Sequence, residues 1–156
     1  MAAQSDAVSA EEQLAGFLAK YAPGIQQLAH EVRSRLQVLC PGATELVYDN
    51  YAGLVIGFGA SERPSEAVLS IAIRPTWVTL CFLWGVNLPD PHGILRGSGN
   101  QVRNIRLASP ADLDDEPVRV LIREAVARSR PPFDPGQPPQ LIIRSVSAKQ
   151  RPRRQG

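Results

Sequence analysis

Hydrophobic residues follow a helical period in two stretches near the start of the chain and in one stretch near its end. Ser9 and Glu12 form a capping-box pattern before the first stretch, and Pro41-Gly42 follows the second. We therefore predict three helices. Their apolar faces carry Leu14, Phe17, Leu18 and Tyr21, then Ile25, Leu28, Ala29, Val32, Leu36 and Leu39, and finally Val118, Leu121, Ile122, Ala125 and Val126.

Between the second and third helices the pattern changes to runs of β-branched, aromatic and aliphatic residues, which favour strands. The segment Arg74-Pro75-Thr76 is too short for a crossover, so its two flanking strands are predicted to be antiparallel. The element order predicts an α+β fold: an antiparallel sheet of about five strands with two N-terminal helices and one C-terminal helix packed on it. The predicted strands cover 45–51, 53–59, 67–74, 77–84 and 102–107.

The sequence also predicts how the chain is divided. One α+β domain is expected over 9–130, after a disordered N-terminus over 1–8. Five prolines over 131–139 favour an extended linker. A candidate edge strand over 140–146 and a basic, disordered tail over 147–156 follow.

Charge is distributed unevenly along the 156 residues, which carry 17 basic and 15 acidic side chains for a net charge of +2. Five of the basic residues and none of the acidic ones lie within 140–156, which leaves twelve basic against fifteen acidic residues elsewhere. A basic nucleic-acid-binding body is therefore not indicated. No apolar run reaches the roughly 18 residues of a membrane span, and residues 1–6 do not have the pattern of a secretory leader. The use of cysteine in this chain indicates the reducing cytoplasm, which is the location that we expect.

The two cysteines are far apart in the sequence and predict neither a metal site nor a redox pair. Cys81 lies within the apolar run 78–84 and is expected to be buried and inert. Cys40 ends the second helix and is expected to be more exposed.

The strongest candidate for binding chemistry is a glycine turn among arginines. Two glycines can aim backbone N–H groups into a concavity that favours anions, and arginines can fork onto phosphate or carboxylate oxygens. In a regular strand, however, Arg103 and Arg106 lie on opposite faces and cannot both contact one ligand. Solvated arginines around an ordinary turn are the alternative. The anion-binding candidates are Arg96, Gly97, Ser98, Gly99, Arg103 and Arg106.

The start of the first strand offers a candidate small-ligand pocket formed by Tyr48, Asp49 and Tyr51. Alternation places Tyr48 on one face of the strand and the other two residues on the opposite face. Cross-strand packing of the aromatic rings is the alternative interpretation.

Metal binding has only scattered candidates. Asp90 and His92 stand two residues apart in a proline-rich loop, and Asp112 and Asp115 belong to an acidic cluster. A metal site requires three or four ligands, and a helix N-terminus also favours acidic residues. No cofactor is predicted.

The tail contains Lys149, Arg151, Arg153 and Arg154, which could contact a polyanion. The tail has no aromatic residue on which a base could stack, so sequence-specific binding by the tail is not expected. A solubilising tail is the alternative.

Several features together resemble the YdhG-like domain-of-unknown-function family of small bacterial proteins. They are the two N-terminal helices, the segment Leu39-Cys40-Pro41-Gly42, the Tyr48 strand start, the Gly97-Ser98-Gly99 turn and the strand Val102–Leu107 before the last helix. The resemblance covers about residues 11–128 and implies a compact α+β domain without established activity. A frataxin-like iron-chaperone role is a further implication. The family's Tyr-Gly-x-Pro and Gly-Lys-Gly signatures are incomplete here.

Known catalytic motifs are not found in the sequence. An enzyme is therefore less expected than a binding protein, although an acid–base pair such as Asp49 with a histidine stays open. We expect a non-enzymatic module that binds a small anion or phosphorylated metabolite, as a monomer or homodimer and without a membrane. The alternatives are a metal chaperone and a partner or nucleic-acid binder that uses the tail.

Overall fold

A computed structural model describes residues 8–155; residues 1–7 and 156, with most of the predicted disordered N-terminus, lie outside the described part. Within it, two helices, five strands, a third helix and a last strand follow one another in the order that the hydrophobic pattern predicts. The helices are α1 (Ala10–Leu18), α2 (Pro23–Leu39) and α3 (Glu116–Ala127), and the strands are β1 (Thr44–Asp49), β2 (Leu54–Gly59), β3 (Ala67–Ile73), β4 (Val78–Phe82), β5 (Arg103–Leu107) and β6 (Gln140–Val146).

All six strands form one sheet in the order β5-β4-β3-β2-β1-β6. Strands β1 to β5 pair antiparallel with their sequence neighbours, whereas β6 lies parallel to β1 at the edge. The predicted α+β class is confirmed. The sheet has six strands rather than about five, and it is mixed, because residues 128–139 return the chain to the end of the sheet where β1 begins.

One face of the sheet and the three helices enclose the core. Cross-strand register places Val47, Ile56 and Ile71 in one row on this covered face. Leu36 from α2 and Ile122 from α3 belong to the same buried cluster. Each such side chain contributes about 1.5–3 kcal/mol by its removal from water.

The opposite face of the sheet carries mostly small and polar residues, and we call it the helix-free face. Register assigns to it Leu46, Tyr48, Val55, Gly57, Ser70, Ala72, Thr79, Cys81, Asn104 and Arg106.

Both carboxylates of the strands, Glu45 and Asp49, lie on the covered face and are buried. Arg33 Nε donates to Glu45 Oε1 at 2.6 Å, and the same guanidinium binds Glu11 of α1 at 2.8 Å. Because a buried carboxylate is costly without a cation, this arginine ties α1, α2 and β1 together. Among residues 8–155, no helix has the length and apolar character needed to cross a membrane.

Candidate functional site

A cleft of about 140 Å³ opens between the end of β4 and the end of α3. Its walls are apolar, and its rim carries an indole, an amide and a guanidinium. The lining residues are Val68, Phe82, Trp84, Asn87, Leu88, Ala125 and Arg128. An apolar cavity of roughly 150 Å³ admits a benzene ring, so this cleft has room for one ring or a short alkyl chain.

Local irregularities of the backbone shape the cleft. A register shift between β2 and β3 pairs Phe58 with Leu69 and Gly59 with Ala67, so Val68 has no partner on β2. Val68 packs against the core cluster instead. After β4 the chain turns through a short 3-10 helix at Gly85–Asn87, which leaves Trp84 51% exposed beside it.

The charge at the rim comes from Arg128, the C-cap residue of α3, where a cation is favoured by the helix dipole. Arg128 Nη1 donates to the carbonyl of Asn87, which ties the helix end to the turn. Its Nη2 lies 3.6 Å from Glu124 Oε1, which is longer than a good hydrogen bond. The guanidinium therefore has donors that an incoming anion can use.

Sequence reasoning did not identify this cleft. Trp84 was included in a predicted strand and Arg128 marked the end of the family resemblance. An aromatic residue at the point where a strand gives way to a loop was the available signal, but its partners on α3 lie about 40 residues further along the chain.

The glycine turn is arranged differently from an anion nest. Arg96 and Asn104 form a bridge with both N···O distances at 2.8 Å, and Gly97 in the turn has a φ of 123°. Arg103 Nη1 donates to the carbonyls of Gly99 at 2.6 Å and Val102 at 2.9 Å. The loop thus presents carbonyl oxygens to its own arginine.

The other two arginines of the predicted anion site point elsewhere. Arg96 Nη1 donates to the carbonyl of Gly93 at 2.9 Å. Arg106 lies on the helix-free face, with its guanidinium carbon 4.5 Å from the centre of the Trp77 ring. The pairing of β4 with β5 is regular, so Arg103 and Arg106 lie on opposite faces of the sheet, as the sequence predicts.

The predicted pocket of Tyr48, Asp49 and Tyr51 is not assembled. Tyr48 lies on the helix-free face and Asp49 is buried on the covered face. Tyr51 is exposed in the turn that follows, with Arg151 over its ring at 5.4 Å.

Asp49 is instead the anchor for the segment 147–155. Arg153 Nη2 donates to Asp49 Oδ1 at 2.9 Å, and Gln150 Nε2 donates to Oδ2 at 2.8 Å. Arg153 Nη1 donates to the carbonyl of Tyr51 at 3.1 Å, and its guanidinium lies 5.8 Å from the centre of the Tyr21 ring. Arg153 is only 5% exposed.

The prediction of a disordered tail is therefore wrong for residues 147–155, which we call the strap. Arg154 Nε also donates to the carbonyl of Lys20 at 3.1 Å, just after α1. The buried carboxylate at the end of β1 requires a cation, and the strap supplies it. Of the four basic residues that were candidates for polyanion contact, Arg153 is buried, while Lys149, Arg151 and Arg154 are exposed.

The linker is also more closely packed than the prolines predict. Phe133 packs against the core cluster, and Gln137 Nε2 donates to the carbonyl of Gly42 at 3.3 Å. Residues 131–139 thus pass along the start of β1 before they enter β6.

Two of the four metal candidates, Asp90 and Asp112, form hydrogen bonds with nearby backbone groups. The Asp90 carboxylate accepts hydrogen bonds from the backbone N–H groups of Ile94 and Leu95, both at 3.0 Å. Asp112 Oδ2 accepts from Ala108 N at 2.7 Å. His92 and Asp115 are exposed. Over residues 8–155, the side chains of His, Cys, Asp and Glu form no group of three that could hold a metal ion.

The expected exposures of the cysteines are reversed. Cys40 is 1% exposed, because the turn that follows α2 folds it against Ala43 and Glu45, whereas Cys81 is half-buried on the helix-free face. Burial, with a smaller contribution from the Glu45 charge, raises the pKa of Cys40 to about 12. Burial also raises the pKa of Cys81.

Cys40 is expected to make stability fall at alkaline pH. The unfolded thiol ionises near its ordinary pKa of 9.0, while the folded thiol stays protonated until about pH 12. Its contribution is complete below pH 9 and is lost as the pH rises toward 12, at up to about 1.4 kcal/mol per pH unit. Urea unfolding of the wild type and of Cys40→Ala between pH 8 and 11 measures this slope. Parallel pH profiles for the two proteins would contradict the assignment.

Comparisons of the chain with protein-family models, with curated proteins and with solved structures returned no match in any of the three.

Proposed function

We propose that this protein is a non-enzymatic binding module for a small organic anion, such as a phosphorylated metabolite, and that the ligand occupies the cleft beside Trp84. The observation that carries the proposal is an apolar cleft, sized for one ring, with a guanidinium on its rim. Apolar pockets with a few well-placed polar groups are the usual form of small-molecule sites.

The cleft is a better candidate than the glycine turn because of how the donors are occupied. Arg96 and Arg103 are already hydrogen bonded to carbonyls of their own loop. Arg128 has only the carbonyl of Asn87 and a distant carboxylate, Glu124. A ligand carboxylate or phosphate can therefore replace Glu124 at Arg128 while its apolar part enters the cleft.

The test is a titration of the ¹⁵N-labelled protein with four probes: benzoate, phenyl phosphate, benzyl alcohol and inorganic phosphate. We expect the two ring-bearing anions to shift the indole signal of Trp84 with a Kd on the order of 0.1–1 mM, as the size of these probes allows. Benzyl alcohol, which has the ring without a charge, and inorganic phosphate, which has the charge without a ring, are expected to bind more weakly. The backbone amide signal of Gly16, which lies in α1 and does not line the cleft, is the internal control.

Substitutions distinguish the contribution of the Arg128 charge to binding from the contribution of the apolar cleft. Arg128→Met is expected to weaken binding of benzoate by about tenfold, the value of a charge-assisted hydrogen bond, and Glu124→Gln to strengthen it. Arg123→Met is the matched control on the same helix. Equal affinity for benzyl alcohol and benzoate, or no saturable shift of Trp84 with any of the four probes, would contradict the proposal.

A further inference from the structure

The helix-free face is uncovered by the three helices and carries cations without carboxylates. Both acidic residues of the six strands, Glu45 and Asp49, lie on the covered face and pair there with arginines. Arg106 of β5 and Arg74, which follows β3, form no ion pair with a carboxylate within residues 8–155. The charge of this face is therefore uncompensated within the described part of the chain.

The two arginines lie at the same end of the sheet as Trp77. Arg74 N donates to the carbonyl of Trp77 at 2.9 Å, which closes the turn between β3 and β4. Thr79 pairs with Arg106, and alternation puts Trp77 on the face of Thr79. This agrees with the distance of 4.5 Å between the Arg106 guanidinium and the Trp77 ring.

A neighbouring glycine leaves room for the side chain of Arg74. A methyl group added to Gly53 would come within 2.2 Å of Arg74 Nη1. Arg74 therefore lies across the turn between β1 and β2, on the side of Trp77 away from β5. In the order of the strands, Trp77 at the start of β4 therefore lies between Arg74, which reaches toward β2, and Arg106 of β5.

We propose that the helix-free face binds single-stranded nucleic acid through Trp77, Arg74 and Arg106. Bases stack on aromatic rings and on guanidinium planes, and arginines contact the phosphates, so the arrangement fits an unpaired strand. A second copy of this chain fits less well, because a two-fold contact brings arginines toward arginines without a carboxylate between them. An acidic peptide offers the charge but has no base to stack on the indole.

The experiment is fluorescence anisotropy of labelled eight-nucleotide strands of RNA and DNA, of mixed sequence, at several salt concentrations. The expected Kd at 50 mM salt is roughly 1–100 µM, the range of sequence-independent binding. Arg74→Gln with Arg106→Gln is expected to weaken binding at least tenfold. It should also reduce the magnitude of the slope of log K against log salt by about 1.4, for two phosphate contacts to a single strand.

The matched control is Arg119→Gln with Arg123→Gln, which removes the same charge from α3, on the other side of the sheet. Its affinity should stay within about twofold of the wild type. Trp77→Ala should weaken binding about tenfold without changing the salt slope, because stacking is not electrostatic. The relative affinities of the RNA and DNA strands show which of them the face prefers.

Three results would overturn the proposal: no binding of either strand at 1 mM protein, an equal loss in the α3 control, or displacement of the strand by poly-glutamate as effectively as by unlabelled strand. The last would assign the face to acidic peptides. The readout does not involve the Trp84 cleft, so it is independent of the small-anion proposal.

Discussion

Replacing Arg153 by methionine is expected to lower the free energy of unfolding by about 3 kcal/mol, the lower end of the cost of breaking a buried ion pair. Among the cations of residues 8–155, Asp49 then keeps only the more distant and half-exposed Lys20, whose Nζ lies 4.0 Å from Asp49 Oδ2. Asp49 is 1% exposed, and Arg153 Nη2 lies 2.9 Å from its Oδ1. The Arg153→Met side chain retains much of the apolar contact with Tyr21 but none of the donors. Equilibrium urea unfolding followed by circular dichroism measures the loss.

The comparison variants make this result specific. Arg144→Met, at an exposed position on β6, is expected to change stability by no more than about 0.5 kcal/mol. The double variant Asp49→Leu with Arg153→Met should recover much of the loss, since an apolar pair can replace a buried ion pair. A double variant less stable than Arg153→Met alone would contradict this prediction, because it would mean that Asp49 stabilises the fold even without its arginine.

The substitution Gly42→Ala is expected to destabilise the protein by about 2–5 kcal/mol, from a left-handed backbone conformation and an overpacked contact together. Gly42 has a φ of 77°, and a Cβ built on it would lie 1.9 Å from the carbonyl oxygen of Asp134. The linker must move away from the start of β1 to admit the methyl group. Urea unfolding gives the change in free energy.

Gly16→Ala is the matched control for this prediction, with the opposite sign. Gly16 lies inside α1 and a Cβ there meets nothing within 4 Å. An alanine should stabilise the helix by about 0.5–1 kcal/mol. If Gly42→Ala were as stable as the wild type, the close approach of the linker to the turn would be wrong.

The hydrophobic pattern predicts the helices and the first five strands because the signal of each is local. Leu54, Ile56 and Phe58 alternate within one strand, and the period is visible without knowledge of the neighbours. The partner of β6 is not visible in this way. Whether Gln140–Val146 joins the sheet parallel or antiparallel depends on the path that residues 128–139 take from α3 to the sheet. That path is determined by tertiary packing.

The same distinction applies to the sites. Alternation along β1 places Asp49 on the face of Val47, so a buried carboxylate can be inferred from the sequence. Its cation cannot, because Arg153 is 104 residues away and resembles the rest of a basic tail. The cleft cannot be predicted from the sequence for the same reason. Its lining residues Val68, Trp84 and Arg128 come from separate parts of the chain and are brought together only by the tertiary structure.

The parallel pairing of β1 with β6 has a consequence for the order in which the chain folds. The hairpins from β1 to β4 connect neighbours in sequence and form early, whereas β1 and β6 are about a hundred residues apart and their contacts form late. Until then β1 is an edge strand with open hydrogen-bonding groups. The β6 segment of another molecule offers the same hydrogen-bonding groups to that edge. Refolding at high protein concentration therefore favours exchange of β6 between two copies, whereas refolding at low concentration favours a monomer in which β6 pairs with its own β1.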